Sequence, residues 1–180
     1  MTRAQLEHII RAAATIAEDP EIVVVGSQAV LGQFPDAPPE LLVSTEADVY
    51  PRNRPERSDL IDGSIGELSP FHETFGYYAH GVGAETAKLP AGWQGRLVPV
   101  IVGDVRGLCL EIHDLVLSKW VAGREKDRDF VAVAVTHGLA DPATLLARIK
   151  TIPIDPDHRS TLRKLLAGFL ARRKDAGASG

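Results

Sequence analysis

The stretch Ile22-Val23-Val24-Val25-Gly26-Ser27-Gln28-Ala29, followed about twenty residues on by Ser44-Thr45-Glu46-Ala47-Asp48-Val49-Tyr50, decides how this chain is read. Ile22 to Val25 is short, apolar and β-branched, the pattern of a buried strand. Gly26-Ser27 ends that strand, and Gln28 to Gln33 suits a short helix capped by Ser27. A helix start fed by a strand offers free N–H groups and the positive end of the helix dipole, so it suits an anion. Glu46 and Asp48 stand two apart in a segment that Pro51 closes. If that segment is a strand, both carboxylates project from one face. Two carboxylates so placed can share a divalent cation, and Mg²⁺ takes a few carboxylates together with the oxygens of substrate phosphates.

A phosphate cradle beside a metal-holding carboxylate pair is the chemistry of nucleotidyl transfer. Gly26-Ser27 at a strand–helix turn, with Glu46-x-Asp48 on the next strand, resembles the DNA polymerase β-type nucleotidyltransferase superfamily. The longer pattern is Ser44-x-Glu46-x-Asp48-Val49-Tyr50-Pro51, joined later by Lys119 and by Ala122-Gly123-Arg124-Glu125-Lys126-Asp127. It resembles a bacterial nucleotidyltransferase-like family of unknown function, related to toxin and abortive-infection nucleotidyltransferases. The likeness runs over roughly residues 20–135.

The resemblance implies an α/β fold, a nucleotidyltransferase-like core with a small mixed sheet followed by a C-terminal helical segment. It implies Mg²⁺ (or Mn²⁺) as cofactor and a nucleoside triphosphate as substrate. A nucleoside monophosphate would move to an acceptor hydroxyl, with RNA, tRNA included, as one acceptor. The setting implied is toxin–antitoxin or phage defence, with a cognate protein as another partner. Glu46 and Asp48 would hold the metal. Gly26, Ser27, Lys119 and Arg124 would bind phosphate. The catalytic set would be Glu46, Asp48, Lys119 and Asp127, with Asp127 orienting Lys119 or the acceptor.

Two departures stand out. Superfamily members usually carry Asp at the first position of the pair, where this chain has Glu46. They often carry a third carboxylate on a later strand. The strand expected at Leu97 to Val102 has none, and Asp104 and Glu111 only flank it. These departures keep a second reading open: a catalytically inactive binding protein on the same fold, a nucleotide sensor or an antitoxin.

Composition sets the remaining bounds. The chain has 180 residues, 44% of them hydrophobic, which suits one globular domain or a core with a helical appendage. The expected division is a core over residues 1–112 and a helical segment over 113–175 packed on it, together one structural domain. The formal charge of −4 does not advertise nucleic-acid binding, but it is uneven. From Thr151 onward Arg159, Arg163, Lys164, Arg172, Arg173 and Lys174 outnumber Asp155, Asp157 and Asp175, a balance of +3 that leaves −7 elsewhere. The one cysteine, Cys109, excludes an intramolecular disulfide framework and reads as a buried thiol. No apolar run approaches the ~18 residues of a membrane span and no signal peptide precedes the first helix, so a cytoplasmic protein without membrane contact is expected.

Thr2 to Glu18 reads as an amphipathic helix stopped by Asp19-Pro20. Leu41 to Val43 reads as the start of the carboxylate strand. Pro55 to Ile61 suits a short helix, Asp62 to Gly66 a turn, and Ser69-Pro70 a second helix start. Tyr77 to Val82 and Arg96 to Val102 read as strands, the latter at an edge because of Pro99. Leu108 to Ile112 reads as a returning strand. Helices follow at 114–122, 124–137, 141–150 and 157–174, with a frayed tail over Ala176 to Gly180. Lys119 sits in an otherwise apolar helix, and a buried ammonium is costly unless it meets an anion. Arg124 to Asp129 reads first as a solvated charge run. His72, His80 and His113 lack metal-ligand spacing, and Phe71 to Tyr78 reads first as core packing.

Overall fold

Leu6, Ile9, Ile10, Ala13 and Ala17 recur at helical spacing, and all are buried on one side of α1 (Arg3–Ala17). The computed structural model, which describes residues 1–177, starts this helix with a Thr2 and Gln5 capping box. It ends at Glu18 in a left-handed conformation. The chain then forms β1 (Glu21–Val24), a 3-10 turn over Ser27–Ala29, and the four-residue α2 (Val30–Gln33). After the proline-rich loop come β2 (Glu46–Pro51), α3 (Ser58–Ile65), α4 (Pro70–Phe75) and β3 (Tyr78–Gly81). The hairpin of β4 (Val98–Val102) and β5 (Val105–Cys109) closes the sheet, turning at Gly103 with φ +62°.

The five strands lie in the order β3-β2-β1-β5-β4. β1 runs antiparallel to β2 and parallel to β5, β3 runs parallel to β2, and β4 antiparallel to β5. The sheet is therefore mixed, as expected. Pro99 does sit on an edge strand, where its missing N–H breaks no ladder. Three contacts place α1, α2 and α3 on the same face. A Cβ on Gly107 would meet Ile10, one on Gly32 would meet Cys109, and one on Gly81 would meet the Ser58 carbonyl. The strand positions that face these helices are buried and apolar: Ile22, Val24, Ala47, Val49, Ala79 and Val100. Burial in this layer pushes the Cys109 thiol up to about 12, so it stays protonated and inert.

By contact, the chain forms two compact units. The first is Met1–Ala87 with Gln94–Glu111, the α/β unit just described. The second is Lys88–Trp93 with the segment from Ile112 onward. It holds α5 (Ile112–Ala122), α6 (Glu125–Thr136), α7 (Pro142–Arg148) and α8 (Pro156–Gly177). Leu115, Leu117, Val131, Leu145, Ile149 and Leu166 are buried in it. The Trp120 indole N–H donates to the Leu162 carbonyl at 3.1 Å, and buried Asp114 accepts from Arg148 at 3.0 Å.

Several boundaries differ from the sequence reading. Residues 41–43 do not begin the carboxylate strand, because Pro39–Leu41 turn as a 3-10 segment and the ladder starts at Glu46. α3 runs through Gly63 to Ile65, since Ile61 and Ile65 are both buried on its inner side. The returning strand is shifted to Val105–Cys109 by its pairing with β1. Leu165 is exposed, although it falls on the apolar side expected for α8. That helix continues to Gly177; of the tail expected over Ala176 to Gly180, residues 178–180 lie outside the described residues.

Asp19, between α1 and β1, staples the core unit. Its buried carboxylate accepts from the N–H groups of Glu21 (3.0 Å), Asn53 (2.6 Å) and Arg54 (3.1 Å), and from Asn53 Nδ2 (2.9 Å). Burial pushes its pKa up, but these hydrogen bonds outweigh burial and hold it below the usual carboxylate value. A depressed folded pKa stabilises fully above the unfolded value and is lost as pH falls through the folded one. Asp19→Ala is therefore expected to cost about 2–3 kcal/mol in urea unfolding at pH 7. The same variant should show a shallower loss of stability than the parent chain on acidification below about pH 4.

Candidate functional site

Alternation on β2 separates its two faces. Ala47 and Val49 point to the helices and are fully buried, while Glu46 and Asp48 project from the opposite face and are partly exposed. β3 brings its own alternate residues alongside, with Glu46 opposite Tyr78 and Asp48 opposite His80. The His80 ring lies between the acids. Its Nδ1 is 3.0 Å from Glu46 Oε1 and 3.2 Å from Asp48 Oδ1. One ligand atom from each of Glu46, Asp48 and His80 can be chosen so that all lie within 4.8 Å of one another. Two carboxylate oxygens and an imidazole nitrogen form a donor set that suits a divalent cation.

The Gly26-Ser27 turn is pinned to the same place. The Val25 N–H donates to the Asp48 carbonyl at 3.0 Å. Gly26 has φ −78°, so its backbone is unstrained; space is what requires glycine there. A Cβ on Gly26 would sit 2.1 Å from Asp48 Oδ2. The expected cap differs: Gly26 occupies the cap position with no side-chain hydrogen bond, and Ser27 already belongs to the first turn. That leaves the partly exposed Ser27 hydroxyl uncommitted to capping. Gln28, one residue on, is fully buried, and its Oε1 has no hydrogen-bond partner among the described residues.

The electrostatics of the pair are unbalanced. Burial raises the Glu46 pKa, the adjacent Asp48 charge raises it further, and His80 opposes both without cancelling them. Tyr78 is also raised, by burial first and then by Glu46. Both groups thus feel burial first and the neighbouring carboxylates second.

Lys119, Arg124 and Asp127 are brought together within the helical unit. Asp127 is 1% exposed. Its Oδ2 lies 2.7 Å from Arg124 Nε, and its Oδ1 lies 3.2 Å from Arg124 Nη2 and 3.6 Å from Lys119 Nζ. Burial pushes the Asp127 pKa up, but the Arg124 hydrogen bond and the Lys119 charge overcome it and hold the group below its usual value. The anion that Lys119 meets is therefore internal, and Asp127 does not belong to a merely solvated charge run. Lys119 Nζ also lies over the Phe130 ring, 6.0 Å from its centroid.

His80 is the residue that sequence reasoning passed over. It was grouped there with His72 and His113, which do other things: His72 Nδ1 accepts from the Leu68 N–H, and His113 Nε2 from the Asp141 N–H. The strand expected to be the site of a third carboxylate, β4, is the far edge of the sheet, with β1 and β5 between it and β2. The strand beside the acids is β3, and the residue it offers is a histidine. The usable signal was the alternation of Tyr78 and His80 in a predicted strand. Phe71, Phe75 and Tyr77 pack with His8 of α1, ring centroids 4.8–6.0 Å apart, so this aromatic group is packing.

Two variants probe these arrangements. Gly26→Ala is expected to push the Asp48 carboxylate away from its place beside His80, costing about 1–3 kcal/mol as local overpacking. Thermal unfolding and the His80 imidazole NMR shifts report the two effects. Asp127→Ala is expected to destabilise the chain by about 2–4 kcal/mol in urea, because it removes a buried carboxylate that two cations share.

No curated protein and no solved structure matches this chain. A family model described as "Nucleotidyltransferase of unknown function (DUF6036)" matches residues 4–164, from α1 into α8. That span covers most of the sequence and includes the Gly-Ser turn, the paired acids and His80, so the chain belongs to this family of nucleotidyltransferases of unknown function.

Proposed function

We propose that the chain transfers a nucleoside monophosphate from a nucleoside triphosphate to an acceptor hydroxyl, using a divalent cation, Mg²⁺ or Mn²⁺. The observation that carries this is Glu46 and Asp48 on one strand face beside the Gly26-Ser27 turn, in a chain of a nucleotidyltransferase family. Glu46 and Asp48 hold the cation. The cation, when bound, neutralises the triphosphate and the charge that develops at the α-phosphorus. The Ser27 hydroxyl and the backbone of the turn hold phosphate oxygens, and the absent side chain of Gly26 keeps the approach to Asp48 open. The acceptor oxygen bonds to the α-phosphorus and the bond to the β-bridging oxygen breaks. Pyrophosphate leaves, and the hydroxyl proton passes to solvent.

The triphosphate contact of Lys119 and Arg124, and the orienting role of Asp127, rest on the resemblance alone. So do an RNA or tRNA acceptor, a cognate protein partner and a toxin–antitoxin or defence setting; a cytoplasmic location, and a 1–112 core with a 113–175 segment as one domain, rest on the sequence pattern. Among the described residues no helix is long and apolar enough to cross a membrane. One observation favours a second reading. The strand next to the acids supplies His80 instead of a carboxylate, and among the described residues the group formed with the pair contains no third acid to act as base. A nucleotide-binding protein without transferase activity, a sensor or an antitoxin, fits that substitution.

Incubation with MgCl₂ or MnCl₂, each labelled triphosphate and total bacterial RNA separates the two. The transferase reading expects label in RNA, lost by at least about 100-fold in Asp48→Asn, the order of a lost transition-state charge contact. Lys119→Ala tests the role taken from the resemblance. Triphosphate binding without transfer to any acceptor would support the sensor, and tight binding of a co-expressed neighbour protein without nucleotide would support the antitoxin.

A further inference from the structure

We infer that His80 is a metal ligand, and that it turns the Glu46–Asp48 pair into a two-oxygen, one-nitrogen site that prefers Mn²⁺ to Mg²⁺. The inference rests on the cation-dependent reading above and specifies which cation it uses.

The argument begins with register. Parallel pairing of β2 and β3 sets His80 opposite Asp48, and the pleat turns both toward the face that carries Glu46. Nδ1 is the ring nitrogen that faces the acids, 3.0 and 3.2 Å from their oxygens. Neighbouring ligands of a six-coordinate ion with bonds of about 2.1 Å lie about 3 Å apart; the two nitrogen–oxygen edges have that spacing, and the three ligand atoms lie within 4.8 Å of one another. His80 is half exposed and the acids about a third, which leaves the remaining positions open to water and phosphate oxygens.

Donor chemistry then decides the ion. Mg²⁺ is hard, keeps oxygen ligands and gives up its water reluctantly. Imidazole nitrogen shifts preference toward first-row transition ions. Charge acts in the same direction. Two carboxylates and a neutral imidazole carry −2, where three carboxylates would carry −3, and a hard ion bound chiefly by charge loses more from that change. Among transition ions, Mn²⁺ shares with Mg²⁺ the octahedral, oxygen-rich chemistry that a triphosphate completes.

The test uses the whole chain and the metals alone, without nucleotide. Mn²⁺ binding is read from loss of the free-ion EPR signal, and Mg²⁺ and Zn²⁺ compete against it. Mn²⁺ is expected to bind at a single site that takes at least tenfold more Mg²⁺ than Mn²⁺ to empty. Pulsed EPR on the bound ion is expected to show ¹⁴N coupling from one imidazole. His80→Ala should abolish that coupling and weaken Mn²⁺ binding by about 10-fold or more. His80→Asp should bring the Mn²⁺ and Mg²⁺ affinities together. Bound Mn²⁺ without ¹⁴N coupling in the parent chain, or no Mn²⁺ binding, overturns the inference even if a variant fails to fold. Equal affinity for Mg²⁺ overturns the preference, whereas Zn²⁺ displacing Mn²⁺ at equimolar concentration supports imidazole ligation, since Zn²⁺ outranks Mn²⁺ at a nitrogen-bearing site. Metal binding as expected with no nucleotidyl transfer would leave this inference standing and remove the transferase reading. Transfer by the parent chain, with the ratio of Mn²⁺ to Mg²⁺ affinity unchanged in His80→Ala, would do the reverse.

Discussion

Pairing of β2 on both of its sides is the constraint on which the candidate site depends. β1 holds it in antiparallel register and β3 in parallel register, so the strand cannot slide by one residue. A one-residue slip would drive Glu46 and Asp48 into the helix layer and expose Ala47 and Val49. Burial of those two small apolar residues against the helices therefore fixes where the carboxylates point. The same register delivers His80, and the Val25 N–H to the Asp48 carbonyl ties the Gly-Ser turn to the acids. The site's precision comes from backbone ladders rather than from its own side chains.

The acids of this protein fall into two groups. Asp19, Asp114 and Asp127 are almost fully buried, and each is satisfied from within: Asp19 by amide donors, Asp114 by Arg148, Asp127 by Arg124 and Lys119. Asp19 and Asp127 are held below the usual carboxylate value by these donors in spite of burial. Glu46 and Asp48 are handled differently. They are set side by side at partial exposure, and Glu46 is raised by burial and by its neighbour. A fold that only needed stability would separate two like charges. Keeping them adjacent is consistent with a site that awaits positive charge.

Much of the architecture was legible because it is local. The helix spacing of Leu6, Ile9 and Ile10, the β-branched run Ile22 to Val25 and the Ser69-Pro70 start each act within a few residues, and the structure forms each of them. Errors gathered where tertiary pairing overrides local preference. Leu41 to Val43 is apolar but carries no ladder, because Pro39 sets a tight turn and β3 begins opposite Glu46. Gly63 did not end a helix, because burial of Ile61 and Ile65 outweighs the cost of one glycine. The internal partner of Lys119 was legible in outline, since a buried ammonium must meet an anion and Asp127 lies two turns away on the next helix.

By itself the sequence determined the chemistry on offer: a Gly-Ser turn after a buried strand, two carboxylates two residues apart, and a lysine in an apolar helix. Those follow from spacing and from the fixed period of a strand, which hold whatever surrounds them. Only the tertiary structure decided which strand lies beside the acids, because strand order depends on contacts between residues far apart in the chain. That order puts β3 there instead of β4, and His80 beside the acids. Thirty-two residues separate His80 from Asp48. No local pattern spans that distance; the sheet does, through one register of parallel hydrogen bonds.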